Sequence, residues 1–308
     1  MAPVVERISE SWILAEAPHW DVETQSLYYV DIIGKTIHKY TPSSNKHTQA
    51  YIGEHVSFII PVEGEADQFV ISINREVHLI TWDGVSETVT KIRKIAEVDD
   101  QPDAQINKFN DGKTDPTGKL WAGTMGRESA TGKIIPNNGT LYSINKDGQV
   151  KSQISNVYIS NGLAWAADLK KFFFIDTAEK RIDQFDFDVE NEAIANRQPF
   201  FTFKEHDIAG SPDGQTIDAD GNLWVAVFNG SKVIKIDSHT PETLLDSIEL
   251  PAKEVTSVAF GGPDLDELYV TTARIPNYRE QLLPPDNGAL YRITELNAKG
   301  LPGVRIKL

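Results

Sequence analysis

Six polar residues recur at matching positions along the chain, and the oxygen atoms of their side chains could bind a metal ion. Each lies 10 to 12 residues before the first residue of a strongly apolar run. The six positions are Glu16, Ser57, Asn110, Asn161, Asp213 and either Thr256 or Ser257. Two carboxylates and two amides at one offset suit a hard cation, calcium or magnesium, although zinc or manganese could substitute. The spacing predicts one divalent metal ion and leaves its identity open.

Local sequence alone favours a simpler interpretation of two of these positions. The stretch "SPDGQTI", which contains Asp213, is typical of a turn because Pro-Asp-Gly favours a tight reversal of the backbone. Asn161 precedes a glycine, which is also a common turn pair. A repeat that makes these positions equivalent would instead direct the Asp213 carboxylate into a shared channel and away from bulk water.

Such a repeat is visible in six short apolar runs. They are "LYYVDI" from residue 27, "FVISI" from 69, "LWAGTM" from 120, "FFFIDT" from 172, "LWVAVF" from 223 and "LYVTTA" from 268. Each is followed by a second strand-like run, after an inserted loop in the third and sixth repeats. Six units of about four strands predict an all-β fold, a six-bladed β-propeller with a metal site in its central channel.

The propeller prediction extends over the whole chain. Two separate β domains are the alternative, but no Pro/Gly/Ser-rich linker divides the sequence, so we expect a single domain over residues 1–308. A terminal strand, in "PVVERI" or in "GVRIKL", is expected to complete the last blade. His19 and His55 fall near the predicted channel-lining strands, where we expect them to be packed or hydrogen-bonded and not catalytic.

The composition excludes several functional classes. The 308 residues include no cysteine, which rules out disulfides, thiolate metal sites and cysteine nucleophiles. A formal net charge of −15 argues against nucleic-acid and membrane partners. No nucleophile elbow, Walker loop or dinucleotide fingerprint occurs. Without a signal-peptide pattern we expect a cytoplasmic protein, since the C-terminal "IKL" only weakly resembles a peroxisomal address. The oligomeric state stays open, with a monomer as the expectation.

Several longer stretches carry a family resemblance. They are "APHWD", "FNDGKTDPTGKLWAGTM", "SNGLAW", "PDGQTIDADGNLWVAVFNG" and "VTSVAFGGPDLDELYVT". Together they resemble the family of senescence marker protein (regucalcin), gluconolactonases and luciferin-regenerating enzymes, and most of all its firefly luciferin-regenerating branch. The resemblance covers essentially the whole chain. It implies a six-bladed propeller with one metal ion at the mouth of the channel.

The resemblance also implies roles for individual residues. In the family the metal is held by a first-blade glutamate, an asparagine in "SNGL" and an aspartate in "PDG", here Glu16, Asn161 and Asp213. The asparagine of "NDGK", Asn110, would contact the substrate or a water on the metal, with Asp111 beside it. Asp213 is also implied as the catalytic base.

Two further positions bear on the substrate. A glutamate shortly after "GTM" helps to bind substrate in the sugar lactonases, and Glu128 holds that position. The family often has an arginine two residues before the "NDGK" asparagine, where this chain has Lys108. Lysine keeps the charge but not the bidentate fork, so the preferred substrate can differ. Glycine is frequent on either side of the family glutamate, and we expect its replacement by Ala15 and Ala17 to have no consequence.

The implied activity is metal-dependent hydrolysis of small cyclic esters. When bound, the cation would polarise the ester carbonyl, while Asp213 takes a proton from the attacking water. In the luciferin-regenerating branch the substrate would be oxyluciferin, converted to a cyano-hydroxybenzothiazole. Two alternatives remain: a sugar lactonase of the gluconolactonase or regucalcin type, and a non-enzymatic calcium-binding propeller.

Overall fold

The computed structural model describes residues 2–126, 134–275 and 285–308. Within these ranges the strands form six antiparallel sheets of four strands each. The first strands of the sheets contact one another around a central channel. The predicted all-β, six-bladed propeller is therefore confirmed.

The chain begins with β1 (Val4–Arg7), which belongs to the last blade, and then builds the blades in order. The strands of blade 1 are β2 (Ala15–Asp21), β3 (Ser26–Asp31), β4 (Thr36–Thr41) and β5 (Lys46–Tyr51). The strands of blade 2 are β6 (Ile59–Pro61), β7 (Gln68–Ile73), β8 (Glu76–Thr81) and β9 (Thr90–Glu97). The strands of blade 3 are β10 (Lys108–Thr114), β11 (Leu120–Met125), β12 (Gly139–Ile144) and β13 (Val150–Val157).

The second half of the chain repeats this plan. The strands of blade 4 are β14 (Ser160–Trp165), β15 (Lys171–Asp176), β16 (Arg181–Asp188) and β17 (Ala193–Thr202). The strands of blade 5 are β18 (Ser211–Ile217), β19 (Asn222–Phe228), β20 (Lys232–Asp237) and β21 (Leu244–Glu249). Blade 6 contains β22 (Glu254–Gly261), β23 (Glu267–Ala273) and β24 (Tyr291–Thr294), with β1 as its outer strand.

Pairing of β1 with β24 closes the ring. Val4 lies opposite Thr294 and Arg7 lies opposite Tyr291 in an antiparallel register. The predicted closure by a terminal strand is thus confirmed for the N-terminal segment "PVVERI". The C-terminal segment lies against blade 2, where Ile306 forms a parallel bridge with Val62.

The apolar pattern of each strand follows its distance from the channel. The second strands, such as β3 and β11, are buried on both faces and are therefore apolar without alternation. The third strands, such as β4 and β20, alternate between buried and half-buried residues. The fourth strands, such as β21, are mostly exposed. The sequence runs that revealed the repeat are the second strands.

Each interface between neighbouring blades holds its own hydrophobic cluster. Blades 5 and 6 meet around Trp224 and Phe260, whose ring centroids lie 5.5 Å apart. Blades 3 and 4 meet around Trp121 and Trp165, at 6.0 Å. Six such clusters ring the molecule, so the blades depend on one another for burial.

Helical structure is minor. Over the described ranges the helical segments are short 3₁₀ turns, at Pro42–Ser44, Thr177–Glu179 and Phe203–His206. Consistent with this, the same ranges contain no helix that is long and apolar enough to cross a membrane.

Candidate metal centre and active site

The first strand of every blade lines the channel, and these strands begin at the same end of it, which we call the mouth. Glu16 is the second residue of β2, and Asn161 is the second residue of β14. Asn110 and Asp213 are the third residues of β10 and β18. Four of the sequence-predicted positions therefore stand at the mouth.

A β-bulge occurs at this level in five of the six first strands. The pairing register shifts between residues 16 and 19, 109 and 111, 161 and 163, 212 and 215, and 255 and 257. A bulge leaves a residue unpaired, bends its strand and re-aims the side chain. In β10, β18 and β22 the unpaired positions include Asn110, Asp213 and Thr256. The polar positions of the repeat therefore coincide with the bulges.

Glu16 is oriented by the residue that follows it. Ala17 has a φ of 48°, and its backbone N–H donates to Glu16 Oε2 at 2.9 Å. A left-handed conformation is costly for alanine and free for glycine. The expectation that alanine has no consequence at this position is therefore wrong, because Ala17 carries backbone strain that a glycine would not.

Asn110 and Asn161 form a hydrogen-bonded pair across two blades. Asn110 Nδ2 donates to Asn161 Oδ1 at 3.1 Å and to the backbone oxygen of Ser160 at 2.9 Å. Asn161 Nδ2 donates to Thr177 Oγ1 at 2.7 Å. These bonds direct the Asn161 oxygen toward blade 3 at the mouth. They also occupy both N–H groups of Asn110 and leave its own oxygen for another partner.

Asp213 lies in a strand, so the prediction of a turn at "SPDGQTI" is wrong. The whole stretch is β18, and the bulge there accounts for Pro-Asp-Gly. Gly214 is needed for close packing: a Cβ at that position would lie 2.0 Å from Ser257 Oγ of the next blade. The Asp213 side chain is only 7% exposed, and no described residue donates a hydrogen bond to it. Asp213 is therefore a mostly buried residue of a channel-lining strand and not an exposed turn residue.

The buried carboxylates at the mouth influence one another. Burial, and then the Asp111 carboxylate, raise the pKa of Glu16 to about 8, against a smaller opposing effect of the Ala17 N–H. Burial, and then Glu16 and Asp111, raise the pKa of Asp213 well above its usual range. Burial also raises the pKa of Asp111, which the nearby Lys113 ammonium opposes. The structure therefore brings three acidic groups together in a poorly solvated place.

The polar positions of blades 2 and 6 make structural hydrogen bonds. Ser57 Oγ lies 2.9 Å from Ser72 Oγ within its own blade. Thr256 Oγ1 donates to the backbone oxygen of Ala15 at 2.7 Å, which ties blade 6 to blade 1 beside Glu16. Both hydroxyls are therefore held by protein partners and contribute to the packing of the blades.

Of the two charged positions that bear on the substrate, the structure describes one. Lys108 is the half-buried first residue of β10, opposite Met125. Burial and the Lys108 charge lower the pKa of the neighbouring His55 to about 3, and His55 Nε2 lies 3.1 Å from the backbone oxygen of Phe109. His55 is therefore packed and hydrogen-bonded, as expected. Glu128 lies outside the described residues.

Comparison with known protein families identifies the family to which this chain belongs. Residues 14–274 match the family described as "SMP-30/Gluconolactonase/LRE-like region". This chain belongs to the SMP-30/gluconolactonase/LRE-like family. Human regucalcin is 36% identical over 296 residues, covering 96% of this chain and 95% of the relative. Regucalcin of Xenopus laevis is 32% identical over 297 residues with the same coverage.

Solved structures of the family agree with this assignment. A luciferin-regenerating enzyme is similar over the full length of both chains, with 47% sequence identity and a TM-score of 0.94. A regucalcin from Agrobacterium tumefaciens, described as a calcium-binding protein, has a TM-score of 0.85 at 23% identity. It covers 99% of this chain and 98% of its own, and at that identity the likeness concerns the fold.

The donor groups at the mouth of this family member fit a hard divalent cation. Glu16 and Asp213 offer carboxylate oxygens, and Asn161 offers an amide oxygen. Asp213 is 7% exposed, and burial, Glu16 and Asp111 all oppose its ionisation, so a bound cation would stabilise its charged form. The described ranges hold no cluster of three or more His, Cys, Asp or Glu side chains suited to a metal.

Sequence reasoning missed the polar residues one layer deeper in the channel. Lys113 and Gln215 lie two residues after Asp111 and Asp213, and like Asp111 they line a small cavity behind the mouth. Burial lowers the pKa of Lys113 to about 8, although Asp111 opposes the shift. The period of two along a strand, counted from Asp111 and Asp213, would have found both positions.

Proposed function

We propose that this protein hydrolyses small cyclic esters with a divalent cation bound at the mouth of the channel. One observation supports the proposal: the buried residues Glu16, Asn161 and Asp213 occupy the second or third positions of three channel-lining strands, in a chain 47% identical over its full length to a luciferin-regenerating enzyme. From that likeness the proposed substrate is a thiazolone of the oxyluciferin type, whose ring carbonyl takes the place of an ester carbonyl. One water adds its oxygen to that carbonyl carbon as the carbonyl C–N bond breaks, and cleavage of the ring C–S bond then releases a cyano-hydroxybenzothiazole and mercaptoacetate.

In this proposal Glu16, Asn161 and Asp213 hold the cation, and Ca²⁺ suits their oxygen-only donor set better than Zn²⁺, which favours nitrogen and sulfur ligands. Mg²⁺ and Mn²⁺ are the other candidates. When bound, the cation would supply Lewis-acid polarisation of the ester carbonyl. The chain itself contributes the position of the donors, because bulges and interblade hydrogen bonds set them before any ligand arrives.

Asp213 is the proposed general base. Its residue is buried in the first strand of blade 5, at the mouth, where it could reach a water bound near the cation. No protein donor in the described ranges competes for its oxygens. Asp111, one residue beyond the β10 bulge, is engaged by the backbone N–H of Gly112 at 2.8 Å. This difference favours Asp213 as the group that accepts a proton from water.

Substrate contacts are assigned to the blade 3 side of the mouth. Both N–H groups of Asn110 are occupied, so Asn110 would offer its amide oxygen to a substrate hydroxyl or to a water. Lys108 would contact a carbonyl or an anionic oxygen of the substrate with its ammonium, and Asp111 would lie beside that contact. Glu128, the position that binds substrate in the sugar lactonases, stays a candidate on the sequence resemblance alone. The proposed partner is thus a small molecule.

A calcium-binding propeller without catalysis is the second candidate, favoured by the relatives named regucalcin. Both candidates predict metal binding, and only the first predicts turnover. The decisive experiment is a panel of sugar lactones, aromatic lactones and oxyluciferin, each assayed with Ca²⁺, Mg²⁺, Mn²⁺ and Zn²⁺ after exhaustive chelation. Metal-restored hydrolysis of at least one substrate supports the proposal. Hydrolysis that is indifferent to chelation, or metal binding without hydrolysis of any compound, contradicts it.

A further inference from the structure

Two adjoining cavities lie in the channel behind the mouth. The inner chamber, about 30 Å³, is lined by Asp111, Lys113, Gln215 and Ser257 among others. The base cavity, about 80 Å³, lies between Trp20, Trp165, Phe260 and residues 301–304. Pro18, His19 and Lys113 line both. The two spaces therefore adjoin and lead from Asp111 to the end of the channel opposite the mouth.

Polar atoms without protein partners line this path. In the described structure the buried atoms His19 Nε2 and Gln215 Oε1 have no hydrogen-bond partner. Gln215 is held in place because its Nε2 donates to the backbone oxygens of Gly162 at 2.9 Å and Phe173 at 3.0 Å. Lys113 Nζ makes one long bond, 3.4 Å, to the backbone oxygen of Gln215. Buried polar atoms in native proteins find partners, so these atoms call for a ligand in the cavities.

The mixture of donors and acceptors identifies that ligand as water. The Lys113 ammonium can only donate, Gln215 Oε1 can only accept, and His19 Nε2 can do either. A small anion would satisfy Lys113 but be repelled by the Gln215 oxygen. A water molecule needs about 10–15 Å³ and two to four polar partners, which both cavities supply.

We propose that the inner chamber and base cavity hold a file of ordered waters that supplies the hydrolytic water from behind the bound substrate. The proposal rests on the proposed function, because a substrate seated at the mouth would obstruct entry of water from that side. Asp111 borders the inner chamber and interacts with Glu16 and Asp213, so the file ends beside the candidate base. His19 and Lys113 are positioning residues for these waters.

The test uses two variants of the full chain, His19→Phe and Lys113→Met, with matched controls His206→Phe and Lys151→Met at the rim of the propeller. Oxygen-17 magnetic relaxation dispersion counts long-lived internal waters directly. Each channel variant should lose about one or two of them relative to its control. With the best substrate and a saturating concentration of cation, both channel variants should lower kcat and leave KM near that of the unmodified protein, and His19→Phe should also leave the cation affinity unchanged.

Unchanged water counts in both folded variants, judged by circular dichroism, overturn the proposal. A bound anion in place of water, seen as chloride or acetate dependence of Trp20 and Trp165 fluorescence that Lys113→Met removes, overturns it as well. Lost waters with unchanged kcat overturn the supply role. If no substrate is turned over at all, the proposed function fails separately, and the water count still decides whether the file exists.

Discussion

Asn110 Nδ2 donates to Asn161 Oδ1 across the boundary between blades 3 and 4, at a distance of 3.1 Å. Each residue stands at the bulge of its strand, and Asn110 also bonds the backbone oxygen of Ser160 in blade 4. The pair therefore orients the amide oxygen of a candidate metal ligand from a neighbouring blade. Asn110 thus supports a candidate metal ligand in addition to its proposed role as a substrate contact.

Substitution Asn110→Ala removes this support. Loss of a hydrogen bond that orients a metal ligand typically weakens metal affinity about 10–100-fold. Calcium affinity measured by titration calorimetry should fall within that range, with KM for substrate raised in addition. Asn110→Asp, which loses the N–H donors but keeps the size, should not restore the affinity. An Asn110→Ala variant with unaltered calcium affinity would show that the hydrogen bond from Asn110 is not required to orient the Asn161 amide.

Substitutions Asp213→Asn and Glu16→Gln remove one buried carboxylate each. Cation affinity should fall by at least about 100-fold, since these groups are the proposed ligands themselves. For Asp213→Asn, kcat should fall by about 10²–10⁴-fold with the loss of the base. Because burial and neighbouring carboxylates oppose ionisation here, the metal-free variants should melt no lower than the parent chain. Asp246→Asn, on the exposed outer strand of blade 5, serves as the matched control. If the Asp213→Asn variant retained metal-dependent activity, Asp213 would be eliminated as the general base.

Binding of a cation should release protons at neutral pH. With a pKa of about 8, the Glu16 carboxyl is mostly protonated at pH 7 in the metal-free protein, and it must ionise to act as a ligand. The apparent affinity should therefore rise with pH and level off above about pH 8. Calorimetric titrations in buffers of different ionisation enthalpy should report proton release at pH 7, to which the Asp213 carboxyl, whose pKa is also raised, contributes with Glu16. Binding enthalpies that do not depend on the buffer would argue against this.

Buried neutral histidines should destabilise the protein in acid. Burial lowers the pKa of His19 to about 4 and those of His38 and His55 to about 3, from 6.5 in an unfolded chain. Between these values the unfolded chain binds more protons than the folded one. The free energy of unfolding is therefore unaffected by these histidines above pH 6.5, and it decreases as the pH falls toward 3–4.

The histidine effect can be isolated with His38→Gln. Its free energy of unfolding should fall less steeply between pH 6 and pH 4 than that of the parent, by up to about 1.4 kcal/mol per pH unit. Comparing slopes cancels the opposite contribution of Glu16, whose raised pKa favours the folded metal-free state at low pH. The exposed His239→Gln should leave the slope as it is. Equal slopes for His38→Gln and the parent would contradict the assignment.

Asp218 stabilises the β18–β19 hairpin of blade 5. It accepts from the backbone N–H of Asn222 at 2.7 Å and from the buried indole Nε1 of Trp224 at 3.0 Å. Asp218→Ala leaves the buried indole N–H without a partner and should lower the free energy of unfolding by about 2–3 kcal/mol in urea denaturation. Asp220→Ala, exposed in the same turn, should change it by less than about 0.5 kcal/mol. Similar losses in the two variants would mean that the turn itself, and not the indole bond, sets the stability.

The repeat and the shared offset were readable in the sequence for a physical reason. The second strand of every blade is buried on both faces, so it must be apolar throughout and stands out as a run. Counting back from that run reaches the first strand, where Glu16, Asn161 and Asp213 stand. The bulges in these first strands could not be predicted from the sequence. A bulge depends on the pairing register with the next strand, so "SPDG" resembled a turn and Ala17 resembled a neutral exchange.

The sequence by itself determined the six-bladed architecture and the oxygen-rich chemistry of the mouth, because both follow from residue type and spacing. Only the tertiary structure decided which of those polar groups have protein partners. Thr256 is bound to the backbone of Ala15, both N–H groups of Asn110 are bound within blade 4, and Asp213 has no donor in the described ranges. The partners of Thr256 and Asn110 belong to neighbouring blades that are far away in sequence. Which polar groups are bonded, and which are not, is therefore fixed only when the blades assemble into the ring.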